Sequence, residues 1–215
     1  MTITAGVVAV QGDVSEHVAA IEAAAEANGA GEAHSASKRS GEHGDPRGGV
    51  EVREVRTAGV VPECDVLLLP GGESTTISRL LHGQGIDEEI RDHVAAGKPL
   101  LATCAGLIVV SRDAKDDRVR VLDLLDVSVD RNAFGRQVDS FEAPLDVTGL
   151  DDPFPAVFIR APLIDEVGDG VEVLAEWEGR PVAVRQGSVV ATSFHPELTD
   201  DDRIHRLAFF ERALA

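Results

Sequence analysis

The apolar positions fall into short blocks that alternate with amphipathic stretches through the first half of the chain. Thr2 to Val10 carries Ile3, Val7, Val8 and Val10 and reads as a buried strand, with Gln11-Gly12-Asp13 as the turn into an Ala-rich helix from Ser15 to about Ala27. Val50, Val52 and Val55 alternate as in a half-buried strand, and Val66 to Leu69 is wholly apolar and ends at Pro70-Gly71-Gly72. A helix begins at Ser74, with Ser74 or Thr75 as its cap, and another spans Ile86 to Ala96, closed by Gly97. A further apolar strand at Leu100 turns sharply at Cys104 into the apolar helix Ala105-Gly106-Leu107-Ile108. This order of strand and helix predicts an α/β fold with a largely parallel sheet.

Beyond Asp113 the blocks shorten: Val119 to Arg131, Phe141 to Val147, Ala156 to Arg160, Val171 to Trp177, Val182 to Arg185 and Val189 to Ser193. These predict antiparallel or mixed strands added to the sheet. Ile204 to Leu214 closes the chain as an amphipathic helix with Ile204, Leu207 and Ala208 inward. Residues 28–49 are rich in Gly, Ser, His and charge without periodicity and read as a flexible insertion. With no internal repeat, 1–215 is expected to be one domain.

Composition narrows the function classes. Against 38 acidic residues stand 20 basic ones, three Lys and seventeen Arg, for a net charge of −18. Such a surface repels nucleic acid and suits a salty cytoplasm, where ions screen self-repulsion. Two cysteines, no apolar run long enough to span a bilayer and no charged-then-apolar leader point to a cytoplasmic protein without a membrane partner.

Three segments carry candidate chemistry. Cys104 lies at the amino end of a helix, where unpaired N–H groups favour a thiolate, and the Ala105 N–H after it is placed to bind an oxyanion. On its own this cysteine reads more readily as a small buried hydrophobe than as a nucleophile. His195, in Thr192-Ser193-Phe194-His195-Pro196-Glu197, is the histidine set in an apolar strand context. Extended backbone would put His195 and Glu197 on one side, about 6 to 7 Å apart, so that Glu197 orients the imidazole while its other nitrogen faces Cys104. Pro70-Gly71-Gly72-Glu73 presents backbone N–H groups either to a phosphate or, with Gly72 joining Ala105, to an oxyanion, where one donor is worth about 3 kcal/mol. His17, His34, His43, His82, His93 and His205 lie in helices or the insertion with no metal-ligand spacing, and Cys64 lacks an elbow and reads as a passive thiol.

Together these segments resemble the class I (triad) glutamine amidotransferases. Within them, Gln11-Gly12, Pro70 to Thr75, Thr103 to Ile108, Arg131 to Glu142, Phe158 to Pro162 and Phe194 to Thr199 resemble the glutaminase-subunit family of pyridoxal 5′-phosphate synthases. The resemblance implies a flavodoxin-like three-layer sandwich and hydrolysis of L-glutamine through a Cys104 thioester, with His195 relaying the proton and Glu197 orienting it. It implies glutamine-binding positions at Gly71, Gly72, Glu73, Arg131, Ile159 and Arg160, and an oxyanion hole at Gly72 and Ala105 with Gln11 beside it. It further implies no cofactor or metal in this subunit, and a (β/α)8-barrel synthase partner that receives the ammonia through a tunnel. Glutaminases of other pathways and an inactive scaffold are the rival readings; the Arg131 to Glu142 segment opposes the first and the intact Cys104, His195 and Glu197 oppose the second. The chain departs from the family pattern at Ala102, where Gly is usual, in Asp13 and Ser15 of the opening loop, and in the length of the 28–49 stretch.

Overall fold

The computed structural model describes residues 2–12, 14–33, 49–131 and 140–210. Its central sheet has seven strands. Five of them, β1 (Ile3–Val8), β2 (Val50–Val55), β3 (Val66–Leu69), β4 (Leu100–Thr103) and β12 (Val189–Thr192), run parallel in the order β12-β4-β3-β1-β2. The antiparallel pair β10 (Glu172–Trp177) and β11 (Arg180–Gln186) extends the sheet beyond β12.

Both faces of the sheet are covered, which is why β3 is apolar throughout and β1, β4 and β12 are apolar at most positions. Leu67, Leu69, Leu100 and Ala102 pack under α2 (Ser74–Gln84), α3 (Ile86–Ala95) and α4 (Ala105–Val110). Leu68, Leu101 and Val190 face the other way, toward α5 (Arg203–Phe209), Val14 and Val18 of α1 (Val14–Ala33), and the hairpin of β7 (Ser140–Leu145) and β8 (Phe154–Ile159). The result is a three-layer α/β sandwich.

Several expectations need correction. The first helix does not stop at Ala27 but runs to Ala33, because Asn28, Gly29 and Gly31 weaken helix formation without removing an N–H donor; the rest of the expected insertion, 34–48, lies outside the described residues. The late strands do not all join one sheet. Only β10, β11 and β12 do, while β5 (Ser111–Asp113), β6 (Leu125–Asp130) and β9 (Leu163–Val167) form a three-stranded sheet and β7 and β8 a separate pair. The strand expected from Val119 begins only at Leu125, since Leu122 and Leu124 donate their N–H groups to Val109 and Val110 at the end of α4. The cap of α2 is neither Ser74 nor Thr75 but Glu73, whose carboxylate accepts from the N–H groups of Thr75 and Thr76. Leu214, expected on the last helix, lies outside the described residues. No helix among the described residues is long and apolar enough to cross a membrane.

Candidate active site

Four adjacent parallel strands end at the same edge of the sheet, and the segment after each carries a candidate residue. Gln11 follows β1, Gly71 follows β3, Cys104 follows β4 and His195 follows β12. Such a carboxyl edge is where open α/β sheets bind ligands.

Cys104 has φ 49° and ψ −106°, a conformation that side chains with a Cβ rarely adopt. Two features hold it there. Its N–H donates to Thr192 O at 2.8 Å, continuing the β4–β12 ladder, and its carbonyl accepts from Ile108 N at 3.4 Å as α4 begins. Gly106 allows the helix to start so close to the sheet, since a Cβ there would stand 2.2 Å from Leu69 O. Ala102, two residues earlier, is a buried strand residue in register with Leu69 and Ala191, so its methyl adds no backbone strain. The thiol is buried to 8% exposure at the mouth of the elbow.

His195 comes to Cys104 because β4 and β12 are parallel neighbours paired at Thr103 and Thr192. Its Nδ1 lies 2.6 Å from Glu197 Oε1. The extended His195 to Glu197 geometry expected from the sequence is replaced by a 3-10 turn, Pro196–Leu198, in which Pro196 supplies the helical φ and Glu197 folds back onto the ring. Burial lowers the His195 pKa, but hydrogen bonds to Cys104 and Glu197 and their charges outweigh it and raise it to about 10. The arrangement favours a protonated imidazole held between the Cys104 sulfur and the Glu197 carboxyl group. Cys64 is fully buried between β1 and β3, and its Sγ donates to Val60 O.

The 70–73 loop closes over this pair. A Cβ on Gly71 would meet His195 Cε1 at 2.8 Å and Cys104 Cβ at 3.4 Å, so only glycine leaves both side chains in place. Gly72, at φ 141°, lies against the Gln11 amide, whose Oε1 accepts from Glu73 N at 2.8 Å. Ala105 is buried at the first turn of α4, where helix N–H groups have no intrahelical partner.

The expected glutamine-binding residues are brought together unevenly. Arg131 bridges Glu73 Oε1 at 3.1 Å and Asp116 Oδ2 at 2.5 Å, and Arg118 grips the same Asp116 with two further nitrogens. Hydrogen bonds from Arg118 hold the Asp116 carboxyl well below its usual range. The Thr75 hydroxyl, with Thr76, pulls the Glu73 pKa to about 2 against the effect of burial. Glu73 is thus committed to capping α2 and pairing with Arg131, and sequence reasoning missed Asp116 altogether because it sits in a charged turn without pattern. Ile159 ends β8 and Arg160 follows it, just beyond Val157, whose carbonyl accepts from His195 N at 2.8 Å; Arg160 is exposed with φ 43°. Residues 132–139, the core of the segment that carries the resemblance most specifically, lie outside the described residues. Among the described residues no group of three or more His, Cys, Asp or Glu is arranged to hold a metal ion.

A family model described as the SNO glutamine amidotransferase family matches residues 7–214. A Halobacterium salinarum protein named pyridoxal 5′-phosphate synthase subunit PdxT is 73% identical over 212 residues, 99% of this chain and 96% of its own. One of the same name from Methanothrix thermoacetophila is 50% identical, over 94% of this chain and 96% of its own. A solved structure titled as a glutamine amidotransferase superposes with a TM-score of 0.77 at 42% identity, covering 95% of this chain and 96% of its own.

Proposed function

The chain belongs to the SNO glutamine amidotransferase family, and we propose that it is the glutaminase subunit of a pyridoxal 5′-phosphate synthase, hydrolysing L-glutamine to L-glutamate and ammonia. The observation that carries this reading is the strained Cys104 elbow facing a His195 that is hydrogen-bonded to both Cys104 and Glu197. In this reading the Cys104 thiolate attacks the side-chain amide carbon of glutamine, and the oxygen of the tetrahedral adduct takes up negative charge. The N–H groups of Gly72 and Ala105 receive that oxygen, with Gln11 bracing the loop. His195 gives its proton to the departing nitrogen, so ammonia leaves and a glutamyl thioester remains. The now neutral imidazole takes a proton from water, whose oxygen attacks the thioester and frees glutamate and the thiolate. Glu197 keeps the ring oriented through both steps.

Arg131 and Glu73, with Gly71, Ile159 and Arg160, form the glutamine-binding rim. Arg131 retains guanidinium N–H groups beyond its two carboxylate bonds, enough to take the substrate α-carboxylate. The partner is a synthase subunit, a (β/α)8 barrel that consumes the ammonia, and the 1–215 chain acts as one cytoplasmic domain; two unpaired cysteines suit that compartment.

Ammonia release should be assayed with the synthase subunit and its sugar phosphates present. Wild type is expected to turn over glutamine, and Cys104→Ala to lose at least about a thousandfold in kcat. Residual turnover near wild type in Cys104→Ala removes the thioester mechanism. Stimulation by a different synthase, with no pyridoxal 5′-phosphate formed, removes the pathway assignment.

A further inference from the structure

Behind the acid of the triad lies a closed set of polar side chains that the thioester chemistry does not call on. His17 from α1, Thr103 at the end of β4 and His205 from α5 are fully buried. His17 Nε2 stands 3.1 Å from Thr103 Oγ1 and 3.4 Å from Glu197 Oε2, while its Nδ1 stands 3.4 Å from His205 Nε2. Glu197 spends Oε1 on His195; its Oε2 is buried and makes no hydrogen bond, although His17 Nε2 stands 3.4 Å from it.

Burial holds both imidazoles neutral at neutral pH. It lowers His205 to about 4 and puts His17 well below its ordinary value, with the His195 charge nearby acting in the same direction. A neutral imidazole has one N–H to place. On Nε2 it meets the Thr103 hydroxyl and puts its positive end 3.4 Å from the Glu197 carboxylate; on Nδ1 it would leave a lone pair against a buried carboxylate oxygen. The first tautomer requires His17 Nδ1 to accept, and His205 Nε2 is the group positioned to donate to it. The polar chain then has one direction, from His205 to His17 to Glu197, which receives His195 from the other side.

We propose that His17 is a positioning residue of the glutaminase, whose Nε2–H, held in that tautomer by His205, keeps the Glu197 carboxylate turned toward His195 Nδ1. The inference rests on the reading of Cys104, His195 and Glu197 as the triad. It was hidden from sequence reasoning because His17 and His205 lie 188 residues apart on two helices that meet only in the fold.

The test is glutamine turnover by the assembled synthase complex, comparing wild type with His17→Leu, His17→Gln, His17→Asn, Glu197→Gln and the His17→Leu/Glu197→Gln double variant. His17→Leu should lower kcat by about tenfold to a hundredfold, the scale seen when an outer orienting group is removed. KM should stay near wild type, because ground-state binding is untouched. Gln places an amide N–H where Nε2 was and should restore most of the rate; Asn, which mimics the Nδ1 side, should not. On the Glu197→Gln background His17→Leu should cost little more. The inference is overturned by wild-type kcat in His17→Leu, by a loss carried in KM instead of kcat, by equal losses in Gln and Asn, or by full additivity in the double variant. If His17→Leu does not fold, the Gln and Asn pair decides. Glu197→Gln at the wild-type rate removes the triad reading and this inference together, whereas a slow Glu197→Gln beside a fast His17→Leu removes the inference alone.

Discussion

Cys104 stores strain that only its neighbours can hold. A residue with a Cβ at φ 49° costs about 1–3 kcal/mol relative to relaxed backbone, and Ala keeps that cost while Gly escapes it. Cys104→Gly is therefore expected to be more stable than Cys104→Ala by about 1 kcal/mol, despite the usual entropic penalty of glycine, in urea unfolding monitored at Trp177. Equal stabilities would mean that the elbow relaxes once the thiol is gone. The same side chain governs His195. Its pKa is raised to about 10 from 6.5 even though burial opposes the shift, so the stabilisation it supplies is complete below about pH 6.5 and disappears as pH climbs through 10. Removing the thiol in Cys104→Ala takes away the first of the two groups that raise it. The His195 titration midpoint, read from its ring carbon shifts, should fall in that variant, and the stability of wild type relative to it should decline between pH 6.5 and 10. An unmoved midpoint would leave Glu197 as the sole partner of the ring.

Among elements, α2 shows how one residue can serve both a helix and a site. Glu73 takes two backbone N–H groups and the Thr75 and Thr76 hydroxyls at the N-terminus of α2, while its other side meets Arg131. Glu73→Ala should cost about 1 kcal/mol of stability at neutral pH, the usual worth of a helix cap. Because the Glu73 pKa is depressed to about 2 from 4.5, that contribution is whole above 4.5 and lost as pH falls toward 2, so the gap between wild type and variant should close over that window. A gap that persists at pH 2 would assign it to packing instead of the cap. Which elements were legible follows from burial. β1, β3, β4 and β12 lie in the interior of the sheet, and burial on both faces writes an apolar run into each. β9 was missed because it follows Pro162 and buries only Leu163 and Ile164 before three exposed positions, too short a pattern to register. The cap itself was misplaced onto Ser74 or Thr75 because hydroxyls are the commoner caps; only the fold shows the longer Glu73 side chain reaching back.

At the scale of the whole molecule, local pattern announces each corner of the site but not that the corners meet. Nothing in the Leu100 to Thr103 run states that its neighbour is Val189 to Thr192; that adjacency is a property of strand order. Charge is legible without any fold. A net charge of −18 on 215 residues makes compaction work against self-repulsion, and the exposed pairs such as Arg112 with Asp126 and Glu166 offset only part of it. Screening shortens the reach of each charge from about 10 Å at 0.1 M salt to about 3 Å at 1 M. The thermal midpoint should therefore rise steeply with KCl up to about 1 M and level off above it, and mild acidification at low salt should raise it as well, because protonating carboxylates removes the same repulsion. A midpoint that climbs linearly through 3 M, or that sucrose reproduces at low ionic strength, would point to solute exclusion from the surface rather than screening. That distinction matters for activity too, because turnover measured in dilute buffer would then report a partly unfolded population and understate the site.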